Sequence, residues 1–160
     1  MKKVAILFFV LLFSLSSLTS CLWMVGFKDA TYVFYDEREN IVKIELALVT
    51  EEIYDTEAGQ VTDYKFSYLA EVNDIASFMD EFDNLYCYTF NLLPPRGIYE
   101  EQYVVIITYE SGTSEYIGTY GQVYSTGGVF TTTTMRLYFD EEEYHSFIKD
   151  YAAMLNYSDI

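Results

Sequence analysis

The stretch Tyr103–Phe130, YVVIITYESGTSEYIGTYGQVYSTGGVF, decides the fold. Tyr103–Glu110 is apolar on both faces, the pattern of a central strand covered on at least one side. Ser111-Gly112 then reads as a two-residue hairpin turn, because glycine accepts the positive φ that such turns demand. TSEYIGTYGQVY continues as the partner strand, and STGG turns the chain again into VFTTTTMRLYF. Turn signals and β-branched content agree on an antiparallel meander.

Upstream, Val42, Ile44, Leu46 and Leu48 alternate with Lys43, Glu45 and Ala47, which predicts a half-buried strand. EEIYDTEAGQ reads as a loop, and Tyr64, Phe66, Tyr68 and Ala70 alternate as a second strand. Ile75, Phe78, Met79, Phe82 and Leu85 recur at helical spacing, with Asn73 or Asp74 placed to cap the first turn. Tyr86–Asn91 returns to alternation until Pro94-Pro95 and Gly97 break it. At the C-terminus, Tyr144, Phe147, Ile148, Tyr151, Ala152 and Leu155 form a second helical stripe. Asp140 is its expected cap, and Glu141–Glu143 set negative charge against the positive end of the helix dipole. DIASFMDEFDNL and EYHSFIKDYAAM share a stripe, as an old duplication of a strands-then-helix unit would give, or as any two amphipathic helices on one sheet would, the favoured reading. The reading is an α+β domain over residues 31–160: an antiparallel sheet of five to seven strands with two amphipathic helices packed on one face. Alternation leaves the opposite face rich in tyrosine and threonine and partly wet.

The N-terminus speaks of location. Lys2 and Lys3 precede an unbroken apolar run from Val4 to Phe13, after which serines and a threonine dilute the hydrophobicity. The run is about half the roughly 20 residues a spanning helix needs and has the form of a secretory signal. Leu18-Thr19-Ser20-Cys21 then resembles the lipobox of bacterial lipoproteins, an aliphatic residue and two small ones before a cysteine. The resemblance covers residues 1–21 alone. It implies cleavage of residues 1–20, acylation of Cys21, a short tether over 21–30, and a domain anchored by lipid on the extracytoplasmic side of a bacterial membrane. The competing expectation is an uncleaved anchor running on through Leu22-Trp23-Met24-Val25.

Composition narrows the partners. The chain has 160 residues and a net charge of −16, and cleavage would remove two of its nine basic residues. That charge argues against nucleic acid and against an electrostatic grip on anionic lipid. An envelope protein or a glycan is the partner that fits. With Cys21 acylated, Cys87 has no disulfide partner, and between tyrosines in a strand it reads as a small core residue. His145 is the one histidine and sits beside the core stripe, which makes it a boundary residue. No phosphate-binding glycine loop, zinc spacing or calcium loop is present, so no cofactor and no metal is expected. Two features suit recognition. Seventeen tyrosines lie mostly on strands, and the loop Leu92–Tyr99 joins stiff prolines to Leu93, Arg96, Ile98 and Tyr99, the candidate binding residues. In the competing reading of that loop, Leu92, Leu93 and Ile98 tuck into the core edge. The leading functional expectation is thus an anchored binding domain. The alternatives are an envelope hydrolase with a spatially assembled carboxylate pair, and a structural or inhibitory module.

Overall fold

The computed structural model describes residues 28–30, 32–55, 57, 60–89, 97–132 and 137–158. Cys21, Leu93 and Arg96 lie outside the described residues. The architecture is α+β: an antiparallel sheet of six strands, in the order β3-β2-β5-β6-β7-β8, with two helices packed against it. The strands are β2 (Ile41–Asp55), β3 (Gln60–Glu71), β5 (Tyr103–Tyr109), β6 (Thr113–Ile117), β7 (Gln122–Thr126) and β8 (Val129–Thr132). A smaller antiparallel sheet joins β1 (Lys28–Asp29), β4 (Cys87–Thr89) and β9 (Leu137–Phe139) in the order β1-β4-β9. The helices are α1 (Ile75–Phe82) and α2 (Glu141–Ser158).

Both helices start where a side chain supplies the missing acceptor. Asp74 Oδ1 accepts from the Ser77 amide at 3.0 Å, and Asp140 Oδ1 accepts from the Glu143 amide at 3.0 Å. Phe78, Met79 and Phe82 of α1 and Tyr144, Ile148, Tyr151 and Ala152 of α2 are buried against Ile44, Leu46, Val105, Ile107, Tyr109 and Ile117 of the sheet. Cys87 belongs to this core, where burial pushes its thiol up to about 11.

Three local readings of the chain are corrected. TSEYIGTYGQVY is two strands, because Gly118 turns the chain and its amide donates to the Gly121 carbonyl at 2.8 Å. A Cβ on Gly118 would stand 2.9 Å from both Ile98 Cγ2 and Gln102 Oε1, so only glycine fits the turn without a shift. VFTTTTMRLYF likewise contributes to two sheets, β8 pairing with β7 and β9 with β4. EEIYDTEAGQ is mostly strand, since β2 runs to Asp55 and β3 begins at Gln60. The turn at Gly127-Gly128 is as expected, both φ values being positive at 61° and 83°.

The sheet is not flat. Between β2 and β3 the register slips at Leu46/Ala47, Val49/Glu51 and Ile53/Tyr54. Each slip adds a residue to one strand and increases local twist. One slip leaves Leu69 without a partner residue, so Ala70 departs from the row of Tyr64, Phe66 and Tyr68 and packs on the helix side with Leu69. The sheet curls until its edge strands meet: the Tyr64 ring of β3 stands 5.2 Å from the Phe130 ring of β8, edge to face. A second core fills the inside of the curl, with Ala47, Val49, Tyr64, Ile98, Val104, Ile106 and Val123 buried. The face expected to be wet is therefore largely closed, although Tyr68 remains exposed.

The helix-side core yields a stability ordering. Phe78 is fully buried, whereas Phe147 is half-buried with its ring 5.3 Å away. Phe78→Ala should lower the unfolding free energy by about 3–5 kcal/mol, and Phe147→Ala by clearly less. Urea denaturation of both variants checks the order, and an equal or larger loss at Phe147 would contradict this packing.

Candidate functional site

Two places in the fold concentrate chemistry. The first is Glu115 on β6, between Thr113 and Ile117 on the helix side of the sheet, with 0 % of its surface exposed. Tyr32 Oη donates to Glu115 Oε1 at 2.8 Å and the Tyr35 amide to Oε2 at 3.2 Å. Tyr109 Oη and Gln122 Nε2 complete the set of donors. No cation joins them: the ion pairs of the described residues, such as Arg38–Asp83 and Lys65–Glu51, lie elsewhere.

Desolvation in this setting penalises the charged form and raises the Glu115 carboxyl above its ordinary value, with the hydrogen bonds from Tyr109 and Tyr32 opposing it in part. Gln122 Oε1 is buried without a partner. The same carboxyl raises the Tyr32 and Tyr109 phenols, after burial itself, so both stay protonated as donors. The arrangement is a sealed structural hub. It pins the segment Tyr32–Tyr35 onto β5, β6 and β7, and Arg38 fixes the next turn by a two-pronged bond to Asp83 at 2.7 and 2.5 Å.

The second place is open. At the mouth of the curled sheet lies a cleft of about 460 Å³ lined by Glu52, Val61, Tyr64, Gly97, Ile98, Tyr99, Val123, Phe130 and Thr131. Glu52 and Tyr64 are direct cross-strand partners, so both side chains leave the same face of the β2–β3 pair. Glu52 Oε1 accepts from the Glu100 amide at 3.0 Å, while Oε2 has no hydrogen-bond partner among the described residues. Tyr64 is only 8 % exposed, yet its hydroxyl has no hydrogen-bond partner among the described residues. Gly97 makes room for it, since a Cβ there would sit 3.3 Å from Tyr64 Oη. Burial first, then the negative charge of Glu52 and the neighbouring Tyr99, push the Tyr64 phenol up to about 12, so it remains a neutral donor and acceptor.

The candidate residues of the loop fare differently. Ile98 is 1 % exposed and forms part of the inner core, in the manner of the core-edge alternative, so its side chain is no surface contact. Tyr99 is 38 % exposed and lines the cleft. Leu93 and Arg96 lie outside the described residues. His145 is half-buried, its Nε2 3.1 Å from Thr119 Oγ1, and burial lowers its basicity. Glu52, Tyr64, Phe130 and Glu115 went unnoticed in the sequence. Glu115 had a signal, a charge on the same strand face as Thr113 and Ile117. The cleft had none, because its residues come from five separate segments.

Among the described residues, no cluster of histidine, cysteine and carboxylate side chains could hold a metal ion, and no helix is long and apolar enough to cross a membrane. Comparison with known protein families, curated proteins and solved structures finds no match to this chain.

The raised Glu115 carboxyl gives a signed pH dependence. A raised folded value contributes stability that is complete below the ordinary value near 4.5 and is lost as pH rises through the folded value. Glu115→Gln keeps the shape and removes the titration. As pH rises from 4.5 to 8, the melting temperature of the parent should therefore fall relative to that of the variant. A constant difference, or one that moves in favour of the parent, would contradict a raised carboxyl. Glu115→Ala should be worse than Glu115→Gln throughout, because it strands several buried donors at about 1–3 kcal/mol each.

Proposed function

We propose that this protein is a binding module of the bacterial cell envelope, held on the outer side of a membrane by lipid on Cys21, with the cleft at the mouth of the curled sheet as its ligand seat. One observation carries the binding part. A nearly buried tyrosine presents an unpaired hydroxyl to an open cleft, beside aromatic rings and a carboxylate with one oxygen unused. The hydroxyl reaches solvent at the cleft, where a polar group of a ligand can take the place of water. The cleft volume suits a small molecule or a single side chain of a larger partner, such as an envelope protein or a glycan.

The anchor rests on the lipobox resemblance at Leu18–Cys21 and agrees with the way the chain enters the domain. Ten residues lie between Cys21 and Tyr32, a reach of at most about 40 Å. Tyr32 is then clamped to Glu115. The domain would sit close against the membrane, and two acyl chains would hold it there stably where one would exchange.

Each part has its own test. Cys21→Ala should abolish incorporation of a labelled fatty acid and leave the precursor uncleaved; mature-length protein at the membrane in that variant would refute the anchor. In a fragment screen by crystal soaking, molecules should collect between Tyr64, Tyr99 and Phe130. Hits confined to other surfaces would remove the cleft as the ligand seat.

A further inference from the structure

We infer that the cleft takes the primary ammonium group of its ligand, seated between the free oxygen of Glu52 and the hydroxyl of Tyr64 and flanked by the ring of Phe130. The inference rests on the cleft being the ligand seat and adds the chemistry of the ligand.

The argument starts from what the two polar groups lack. Glu52 holds one oxygen fixed by the Glu100 amide, which leaves Oε2 as an acceptor aimed by a backbone hydrogen bond. Tyr64 stands opposite Glu52 across the β2–β3 ladder, and its neutral phenol offers an acceptor lone pair as well. Two acceptors, one of them charged, call for a group rich in donors. A primary ammonium carries three donors and a positive charge, and a hydrogen bond between charged partners is about twice as strong as a neutral one. The aromatic wall adds to this, since a cation near the face of a phenyl or phenol ring is attracted by the ring quadrupole, more so when partly desolvated.

The surroundings exclude the nearest competitors. Among the described residues no lysine or arginine lines the cleft to neutralise Glu52; Lys65 is engaged with Glu51 at 2.5 Å. An anionic ligand would meet that carboxylate and the field of a chain carrying −16. A calcium ion needs six to eight oxygen ligands, and the cleft offers one carboxylate. A neutral sugar could stack on the rings, but it would bury the Glu52 charge against hydroxyls alone, and it is retained as an outcome of the test.

The test is a titration of the full chain in uncharged detergent micelles, with labelled tyrosine and phenylalanine rings followed by NMR. Spermidine is the probe, with 1,5-pentanediol and chitobiose as neutral comparisons. Spermidine should shift the Tyr64 and Phe130 rings saturably at about millimolar concentration or below, and the diol should not. Glu52→Gln should weaken it about tenfold or more, and Tyr64→Phe should weaken it with the ring kept. Glu142→Gln, which removes the same charge from the exposed face of α2, should leave it unchanged; thermal melting confirms that each variant is folded. Equal weakening by Glu142→Gln would mean that the amine follows the overall charge and would overturn the inference. Ring shifts with chitobiose and none with spermidine would overturn it while sparing the cleft as the ligand seat. Shifts with none of the three probes would overturn it too, and the fragment screen would then decide separately whether the seat itself stands.

Discussion

Four aromatic rings close the sheet on itself. Tyr64 and Phe66 on β3, Tyr116 on β6 and Phe130 on β8 touch in a cycle, with centroid distances of 6.2, 5.3, 5.2 and 5.2 Å around it. β3 is not a neighbour of β6 or β8 in the sheet, so the Phe66–Tyr116 and Tyr64–Phe130 contacts exist only because it curls. Each such pair is worth about 0.5–1.5 kcal/mol beyond the area it buries. The irregular β2–β3 register supplies the bend, and the rings hold it. The inner core and the cleft at its mouth both follow from that closure. So does the position of Tyr64, nearly buried but with its hydroxyl at an opening.

The other face is organised around a different economy. There the helices cover an ordinary apolar core, and a single carboxyl group gathers four donors from the N-terminal segment and two strands. Such a group is weak evidence for stability in itself, because its desolvation offsets what its hydrogen bonds contribute. Its effect is on arrangement. With Glu115 in place, the segment that leads to the N-terminus has one position in which its tyrosine and its backbone amide are both satisfied.

Much of this was legible in the chain. The two helices, their Asp74 and Asp140 caps, the doubly apolar β5 and the Gly127-Gly128 turn all rest on patterns within a few residues of one another. The break at Gly118 was not legible, because the need for glycine there comes from Ile98 and Gln102, some twenty residues away. The curl was not legible either: Tyr64 and Phe130 are 66 positions apart, and nothing local distinguishes their contact from two exposed strand aromatics. The candidate site shows the same division. Tyr99 was found through its loop, whereas Glu52 and Tyr64 sit in strands whose alternation says which face they occupy but not what that face meets.

The central claim is that the sheet is closed by its own edge strands and so encloses a cleft. It is tested most directly by ring-to-ring nuclear Overhauser contacts in the full chain with selectively labelled tyrosine and phenylalanine. A closed sheet predicts cross-peaks from Tyr64 to Phe130 and from Phe66 to Tyr116, at centroid distances of 5.2 and 5.3 Å. Absence of both, with the β2–β3 and β7–β8 backbone contacts intact, would mean an open sheet and would contradict the account.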